Sequence, residues 1–100
     1  MKLITAIIRS ICLEKVITGL NEIGVKGMTI LEVKGRGEEV ILYRHYSIHN
    51  KIEIILPDNE VDKAIKTILD LAQTGERGDG VITVKEVNEL IRIRTKETLK

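Results

Sequence analysis

The strongest constraint on the fold is the order in which strand-like and helix-like patterns follow one another along the 100 residues. Residues 3–8 are apolar at nearly every position, as in a strand that is buried on both faces. Apolar residues then recur at three- and four-residue steps from Leu13 to Ile23, and Gly24 is a typical residue for the end of a helix. The first quarter of the chain therefore predicts a strand followed by an amphipathic helix.

Two further strands are predicted in the middle of the chain. Residues 28–33 alternate between apolar and polar side chains and predict the second strand. After an irregular stretch to about Asn50, residues 52–56 predict a third strand, which ends at the only proline, Pro57.

A second helix and a fourth strand complete the pattern. Asp58 or Asn59 is expected to cap the helix, whose apolar stripe extends over residues 61–72. Residues 81–87 predict the fourth strand, and residues 90–94 a short further segment. The order β-α-β-β-α-β predicts an α+β fold, a ferredoxin-like sandwich of two helices on one antiparallel sheet.

Composition excludes several classes of protein. Sixteen basic and fifteen acidic residues leave a net charge of +1, which gives no electrostatic basis for binding nucleic acid. The longest apolar runs are three to four residues, so no membrane insertion is expected. The single Cys12 cannot form an internal disulfide, which fits a cytoplasmic location.

The first and third predicted strands are apolar on both faces, although two helices can cover only one face of the sheet. An uncovered second face would be a larger apolar patch than monomers usually expose. We therefore expect a homo-oligomer that buries this face. The alternative is a monomeric sheet that carries a few surface aliphatic residues.

A glycine-rich segment and an arginine pair are the main candidates for a ligand site. Successive amides of residues 75–80 could converge on a phosphate, although an ordinary flexible connection would have the same composition. Arg92 and Arg94, two residues apart on a predicted extended segment, would point the same way, with Ile91 and Ile93 toward the core. Two adjacent guanidinium groups suit a polyphosphate or a carboxylate.

Other candidate residues are weaker. His45 and His49 have a spacing that metal ligands use, but no third ligand is near in sequence, which favours two surface histidines. Cys12 is predicted to be a small buried apolar residue rather than a nucleophile. Glu38 and Glu39 could act as an acid and a base, but adjacent carboxylates of this kind are usually solvent-exposed surface residues. No nucleophile–base set is present in the sequence, which does not indicate an enzyme.

Five motifs, taken together and in order, resemble those of the PII (nitrogen regulatory P-II) signal-transduction proteins: residues 1–8, 23–29, 32–37, 74–80 and 92–95. The resemblance extends to about residue 98, so residues 1–100 are interpreted as a single PII-like domain. It implies a ferredoxin-like homotrimer that is a regulator rather than an enzyme. Its implied partner is a transporter or enzyme of nitrogen metabolism.

The resemblance also implies an adenine nucleotide (ADP, AMP or ATP) in the clefts between subunits. Thr29 and the backbone of Ile55 would meet the adenine. The nucleotide loop would be residues 74–82 and the C-terminal segment residues 92–100. The residues that would meet the ribose and phosphates are Gly35, Gly37, Gly78, Asp79, Gly80, Arg92 and Arg94.

Residues 36–50 stand where the family carries its T-loop, the segment that contacts the partner protein, and they form a much shortened version of it. Leu42 to Arg44 is similar to the tip of that loop. The implied partner-contact residues are Arg36, Glu38, Glu39, Tyr43, Arg44 and Tyr46.

Three departures from the family pattern change the expected ligand. Glu38 and Glu39 replace an Arg-Gln pair, Val81 replaces a lysine after Gly-Asp-Gly, and His49 replaces another lysine. We therefore expect weak ATP binding, and we expect neither Mg nor 2-oxoglutarate as a cofactor. One alternative is an interaction protein on the PII scaffold with a decayed nucleotide site. Another is a trimeric metal-binding protein with Cys12, His45 and His49 as ligands.

Overall fold

The computed structural model describes residues 1–35 and 47–100, so residues 36–46, which contain most of the predicted T-loop, lie outside the described residues. The elements in chain order are β1 (Lys2–Arg9), a short 3-10 helix (Ser10–Cys12), α1 (Leu13–Glu22), β2 (Thr29–Gly35), β3 (Ser47–Leu56), α2 (Asp58–Ala72), β4 (Gly80–Glu86), β5 (Leu90–Ile91) and β6 (Thr98–Leu99). The α+β fold with two helices and an antiparallel sheet is confirmed.

The main sheet has the strand order β2-β3-β1-β4, and every neighbouring pair is antiparallel. β1 pairs along its length with β3 on one side and with β4 on the other. Each helix connects two strands that are not adjacent in the sheet, which is the split β-α-β arrangement of ferredoxin-like folds. The two helices therefore lie together on one face.

The core fills the space between the helices and the central strands. Alternate residues of β1 and β3 point into it, because successive side chains of a strand face opposite sides of the sheet. Cys12 is 1% exposed, which confirms the prediction of a small buried hydrophobe. The most deeply buried side chains are Ile4, Ile8, Leu20, Ile52, Ile54, Ile68, Val16 and Cys12.

Neither helix lies on the opposite face of the sheet, and among the described residues only the hairpin near the C-terminus lies beside one end of it, at Leu3 and Ile55. Cross-strand partners lie on the same side of a sheet, so Leu31 faces Lys51 on the side away from the buried Ile52. Thr5 and Glu53 add a polar pair to this face, with Thr5 Oγ1 donating to Glu53 Oε2 at 3.1 Å. The aliphatic residues on this second face are Leu3, Ile7, Leu31, Val33, Ile55 and Val81.

Two local predictions in the middle of the chain are wrong. β3 begins at Ser47, where an irregular stretch to Asn50 was predicted, because residues 47–50 pair with the end of β2. α2 has Pro57 as its N-cap residue, with no side-chain capping bond from Asp58 or Asn59. Asp58 Oδ1 instead accepts a hydrogen bond from the N-terminal ammonium group at 2.8 Å.

The last residues form a hairpin of β5 and β6, which the sequence did not predict. Its turn is closed by Lys96 N–H donating to the Arg92 carbonyl at 2.7 Å. Ile91 is 56% exposed and Ile93 94% exposed, so the prediction that they face the core is wrong. The regular alternation on which that prediction depended ends where the chain turns back at residues 93–95.

Candidate functional site

A cavity of about 830 Å³ opens at the end of the sheet where β2 begins and β3 ends. Thr29 and Ile55, the two residues predicted to meet a nucleobase, both line it. Arg92, from the hairpin, also lines this cavity. Three residues that are distant in sequence, and that were named for one ligand, therefore meet at one place.

The walls of the cavity combine apolar surface with a few polar groups. Met28, Ile55 and Leu90 supply apolar side chains, while Thr29 and Glu53, which are partners in the β2–β3 register, supply a hydroxyl and a carboxylate. Ligand pockets commonly have this composition, with few polar groups that fix the orientation of an apolar or aromatic ring. The cavity is large enough for a purine ring and its sugar.

Arg92 and Arg94 do not lie on one extended segment, so the prediction of a parallel pair is wrong. Arg92 follows β5 directly, and its Nε lies 3.3 Å from Glu97 Oε1 across the hairpin. Arg94 is in the exposed turn at the tip of the hairpin. An exposed ion pair of this kind contributes little to stability, so Arg92 remains available to a competing anion.

The glycine-rich loop, residues 74–79, lies at the opposite end of the sheet, between α2 and β4. Its amides do converge on an anion, but that anion is the carboxylate of Asp79. Oδ2 of Asp79 accepts hydrogen bonds from the Thr74 and Gly75 N–H groups at 2.8 and 2.9 Å. Oδ1 accepts from the Thr74 hydroxyl and from Arg9 Nε, the latter at 3.0 Å.

These hydrogen bonds hold the pKa of the Asp79 carboxyl well below its ordinary value. The hydroxyl of Thr74 has the largest effect, followed by the Thr74 N–H and by Arg9, and all of them stabilise the ionised form. Asp79 is therefore a carboxylate at any pH near neutrality. Through these hydrogen bonds, Asp79 holds the end of the glycine-rich loop against its first residues, Thr74 and Gly75.

His49 was predicted to be a surface histidine, which is wrong. Its side chain is 9% exposed, and its Nε2 lies 2.7 Å from the carbonyl oxygen of Gly78. A carbonyl oxygen only accepts, so Nε2 carries the hydrogen. No group of three or more His, Cys, Asp or Glu residues that could hold a metal ion is present within residues 1–35 and 47–100. His45 lies outside these ranges.

The predicted site residues thus fall into two groups at opposite ends of one sheet. Thr29, Ile55 and Arg92 form the cavity, whereas Gly78, Asp79 and Gly80 lie near Ile8 and Arg9, at the far end of β1. Gly35 ends β2 about 20 Å from Thr29, at 3.3 Å per residue, on the side of the glycine-rich loop. Gly37 and the predicted partner-contact residues Arg36, Glu38, Glu39, Tyr43, Arg44 and Tyr46 lie outside the described residues.

Comparison with known proteins identifies the family. Residues 1–97 match the family described as "P-II: Nitrogen regulatory protein P-II". This chain belongs to the P-II family. "Nitrogen regulatory protein P-II 2" of Methanothermobacter thermautotrophicus is 42% identical over 109 positions that cover 100% of this chain and 95% of that protein. "Nitrogen regulatory protein P-II 1" of Escherichia coli is 46% identical over 106 positions that cover 97% of this chain and 95% of that protein.

The family assignment confirms the resemblance drawn from the sequence motifs, and P-II proteins are regulatory signal transducers. The alignment with the Methanothermobacter P-II protein is nine positions longer than the 100 residues of this chain, so that relative carries positions without a counterpart here. None of the helices in the described ranges is long and apolar enough to cross a membrane.

The lowered pKa of Asp79 predicts a pH dependence of the stability of this P-II protein. Folding lowers the pKa from its ordinary value of 3.8, so the ionised carboxylate stabilises the fold. This stabilisation is complete above about pH 5 and is lost as the pH falls through 3.8 toward the lowered pKa. Between pH 6 and pH 2.5, we expect the Tm of the wild-type protein to fall more steeply than that of the Asp79→Asn variant. Parallel curves of Tm against pH would contradict this prediction.

Proposed function

We propose that this P-II protein is a cytoplasmic regulator that binds an adenine nucleotide between the subunits of a homotrimer. Through the predicted T-loop, which precedes β3, it controls a transporter or enzyme of nitrogen metabolism. The observation that carries the proposal is the separation of the site residues into two groups at opposite ends of one sheet. Each protomer then has two half-sites, and neither is a complete nucleotide site.

Two protomers complete the site if the cavity end of one meets the glycine-loop end of the next. Such a contact joins two different surfaces, and it closes into a ring when the rotation between neighbours is a simple fraction of a turn. A ring of three with the sheets inward would also bury the second face, including Leu31 and Ile55. The proposed trimer therefore accounts for the divided site and for the uncovered apolar face together.

The base end of the proposed site offers apolar surface and a hydroxyl group, whereas the phosphate end lacks the lysine that the family carries after Gly-Asp-Gly. Val81, beside Gly80, offers no charge where a lysine would bind a phosphate, and it is 58% exposed. Each lost charged hydrogen bond costs about 1.5–3 kcal/mol, so the three departures in the sequence weaken ATP binding by several orders of magnitude. We therefore propose ADP or AMP as the ligand, without Mg or 2-oxoglutarate.

Thermal unfolding of the purified protein with AMP, ADP and ATP tests this function. A nucleotide at a hundredfold excess over its Kd stabilises each site by about 2.7 kcal/mol, which raises the Tm by several degrees. We expect ADP or AMP to raise the Tm at a lower concentration than ATP does. Addition of Mg and 2-oxoglutarate should change none of these midpoints.

Substitution of Arg92 tests whether this protein is a nucleotide-binding regulator or a scaffold whose nucleotide site has decayed. Arg92→Gln should abolish most of the Tm shift with ADP, because Arg92 lines the cavity. Lys66→Gln is the matched control, since Lys66 is an exposed cation on α2 that pairs with Asp70 and not with the site. A wild-type Tm that responds to no nucleotide would instead favour the decayed scaffold, whose only ligand is the partner protein.

A further inference from the structure

The glycine-rich loop is held from outside by two side chains that are direct neighbours across β1 and β3. Arg9 and His49 are partners in the register of these strands. Arg9 Nη2 donates to the Arg77 carbonyl at 2.5 Å, and its Nε donates to Asp79. His49 Nε2 donates to the Gly78 carbonyl at 2.7 Å. We call this arrangement of Arg9 and His49 the loop clamp.

The loop clamp fixes the direction of two successive peptide planes. The carbonyl oxygens of Arg77 and Gly78 both point at the same cross-strand pair, Arg9 and His49. In a trans peptide the N–H group points opposite to the carbonyl, and this chain has no cis peptide among its described residues. The N–H sides of these two planes therefore face away from the clamp, on one common side.

The loop clamp also balances charge. Asp79 places a carboxylate within the loop, and this charge would repel an anionic ligand bound nearby. The Arg9 guanidinium lies 3.0 Å from that carboxylate and compensates it. Both side chains of the pair are sheltered, at 28% and 23% exposure, so screening by salt is reduced.

We propose that Arg9 and His49 are positioning residues, which set the peptide groups of residues 77–79 to bind the phosphate of a nucleotide without touching it themselves. This inference rests on the proposed function, because it takes the ligand to be a nucleoside phosphate. It extends that function by assigning the phosphate end of the site to a loop geometry maintained from β1 and β3. The base end, around Thr29 and Ile55, does not depend on the clamp.

The test compares the affinities of adenosine and ADP by calorimetric titration in the wild-type protein and in clamp variants. In Arg9→Met and His49→Leu, we expect ADP to bind at least about tenfold more weakly, since charged or buried hydrogen bonds are lost. Adenosine should bind all of the proteins equally. His49→Gln keeps an N–H donor near the position of Nε2 and should restore ADP affinity to within about threefold of wild type. Lys66→Met is the control for loss of a cation elsewhere.

The outcomes separate this inference from the function on which it rests. Unchanged ADP affinity in Arg9→Met and His49→Leu, with tight binding in the wild type, would overturn the loop clamp and leave the proposed function standing. Failure of the wild-type protein to bind any adenine nucleotide would overturn both. Equal losses for adenosine and ADP would show a general structural defect and would also overturn the positioning role. If Arg9→Met does not fold, the comparison of His49→Leu with His49→Gln decides.

Discussion

Replacing Gly80 with alanine is expected to remove a large share of the stability of the protomer. Gly80 has a φ of +109°, and a Cβ atom at this position would overlap the backbone carbonyl oxygen of Ile7. The obstacle is backbone in the central strand, so it cannot move aside as a flexible side chain would. The positive φ costs about 1–2 kcal/mol and the overlap about 1–3 kcal/mol more. The sum approaches half of the stability of a typical small domain.

Two other glycines provide matched controls for the Gly80→Ala variant. Gly75 also has a positive φ, +86°, but nothing lies within 4 Å of a Cβ atom there, so Gly75→Ala should cost only the backbone term of about 1–2 kcal/mol. Gly27 has neither feature, and Gly27→Ala should change the stability by less than about 1 kcal/mol. The measurement is guanidinium unfolding at one protein concentration. Equal stabilities of Gly80→Ala and Gly75→Ala would contradict the close approach to Ile7.

The sequence predicted the parts of the fold that local periodicity determines. The apolar periodicity that begins at Leu13 corresponds to α1. Gly24, which was predicted to end this helix, has a φ of +99°, a conformation that favours glycine after a helix. The stripe over residues 61–72 lies within α2, and the predicted fourth strand differs from β4 by one residue at each end. In these segments, the secondary structure is determined by residues that are close to one another in the sequence.

The parts that were wrong or missed depend on contacts between distant residues. The first residues of β3 become a strand because they pair with β2, and no pattern within residues 47–50 shows this. Arg9 and Asp79 are 70 positions apart in the sequence, and His49 and Gly78 are 29 apart. The loop clamp could therefore not be predicted without the register of the strands. The bond from Thr74 to Asp79 spans only five residues, and polar side chains beside glycines in a loop were a signal that could have indicated it.

The division of the site into two halves also required the structure. Motifs in a sequence show which residues are candidates, but not which of them lie at the same end of a sheet. The register places Ile55 opposite Leu3 and Gly80 opposite Ile8, so these two site residues lie near different ends of β1. The order of motifs along the chain is therefore compatible with one site per protomer or with one site per pair of protomers, and the proposed function takes the second.

If the protein is the proposed trimer of about 34 kDa, a charge placed on the second face of the sheet is expected to convert it into a monomer of 11.3 kDa. Leu31 is 50% exposed in the protomer and lies on this face beside Lys51. In Leu31→Glu, the new carboxylate has a cross-strand cation as its neighbour, so the protomer should tolerate the change. In the assembled trimer, the same carboxylate would be buried three times around the axis, and repulsion and desolvation would both oppose association. Sedimentation equilibrium measures the mass directly.

Leu69→Glu is the matched control, because Leu69 is 51% exposed but belongs to α2 in the helix layer. The two variants replace the same residue type at nearly the same exposure, and they lie on opposite sides of the sheet, Leu31 on β2 and Leu69 on the helix layer. We expect Leu69→Glu to retain the wild-type mass and Leu31→Glu to lose it, together with ADP binding, because a monomer has only half-sites. A wild-type protein that sediments as a monomer, or a Leu31→Glu variant with unchanged mass, would show that this face is not the contact between protomers. The nucleotide site would then have to be completed in some other way than by adjacent subunits.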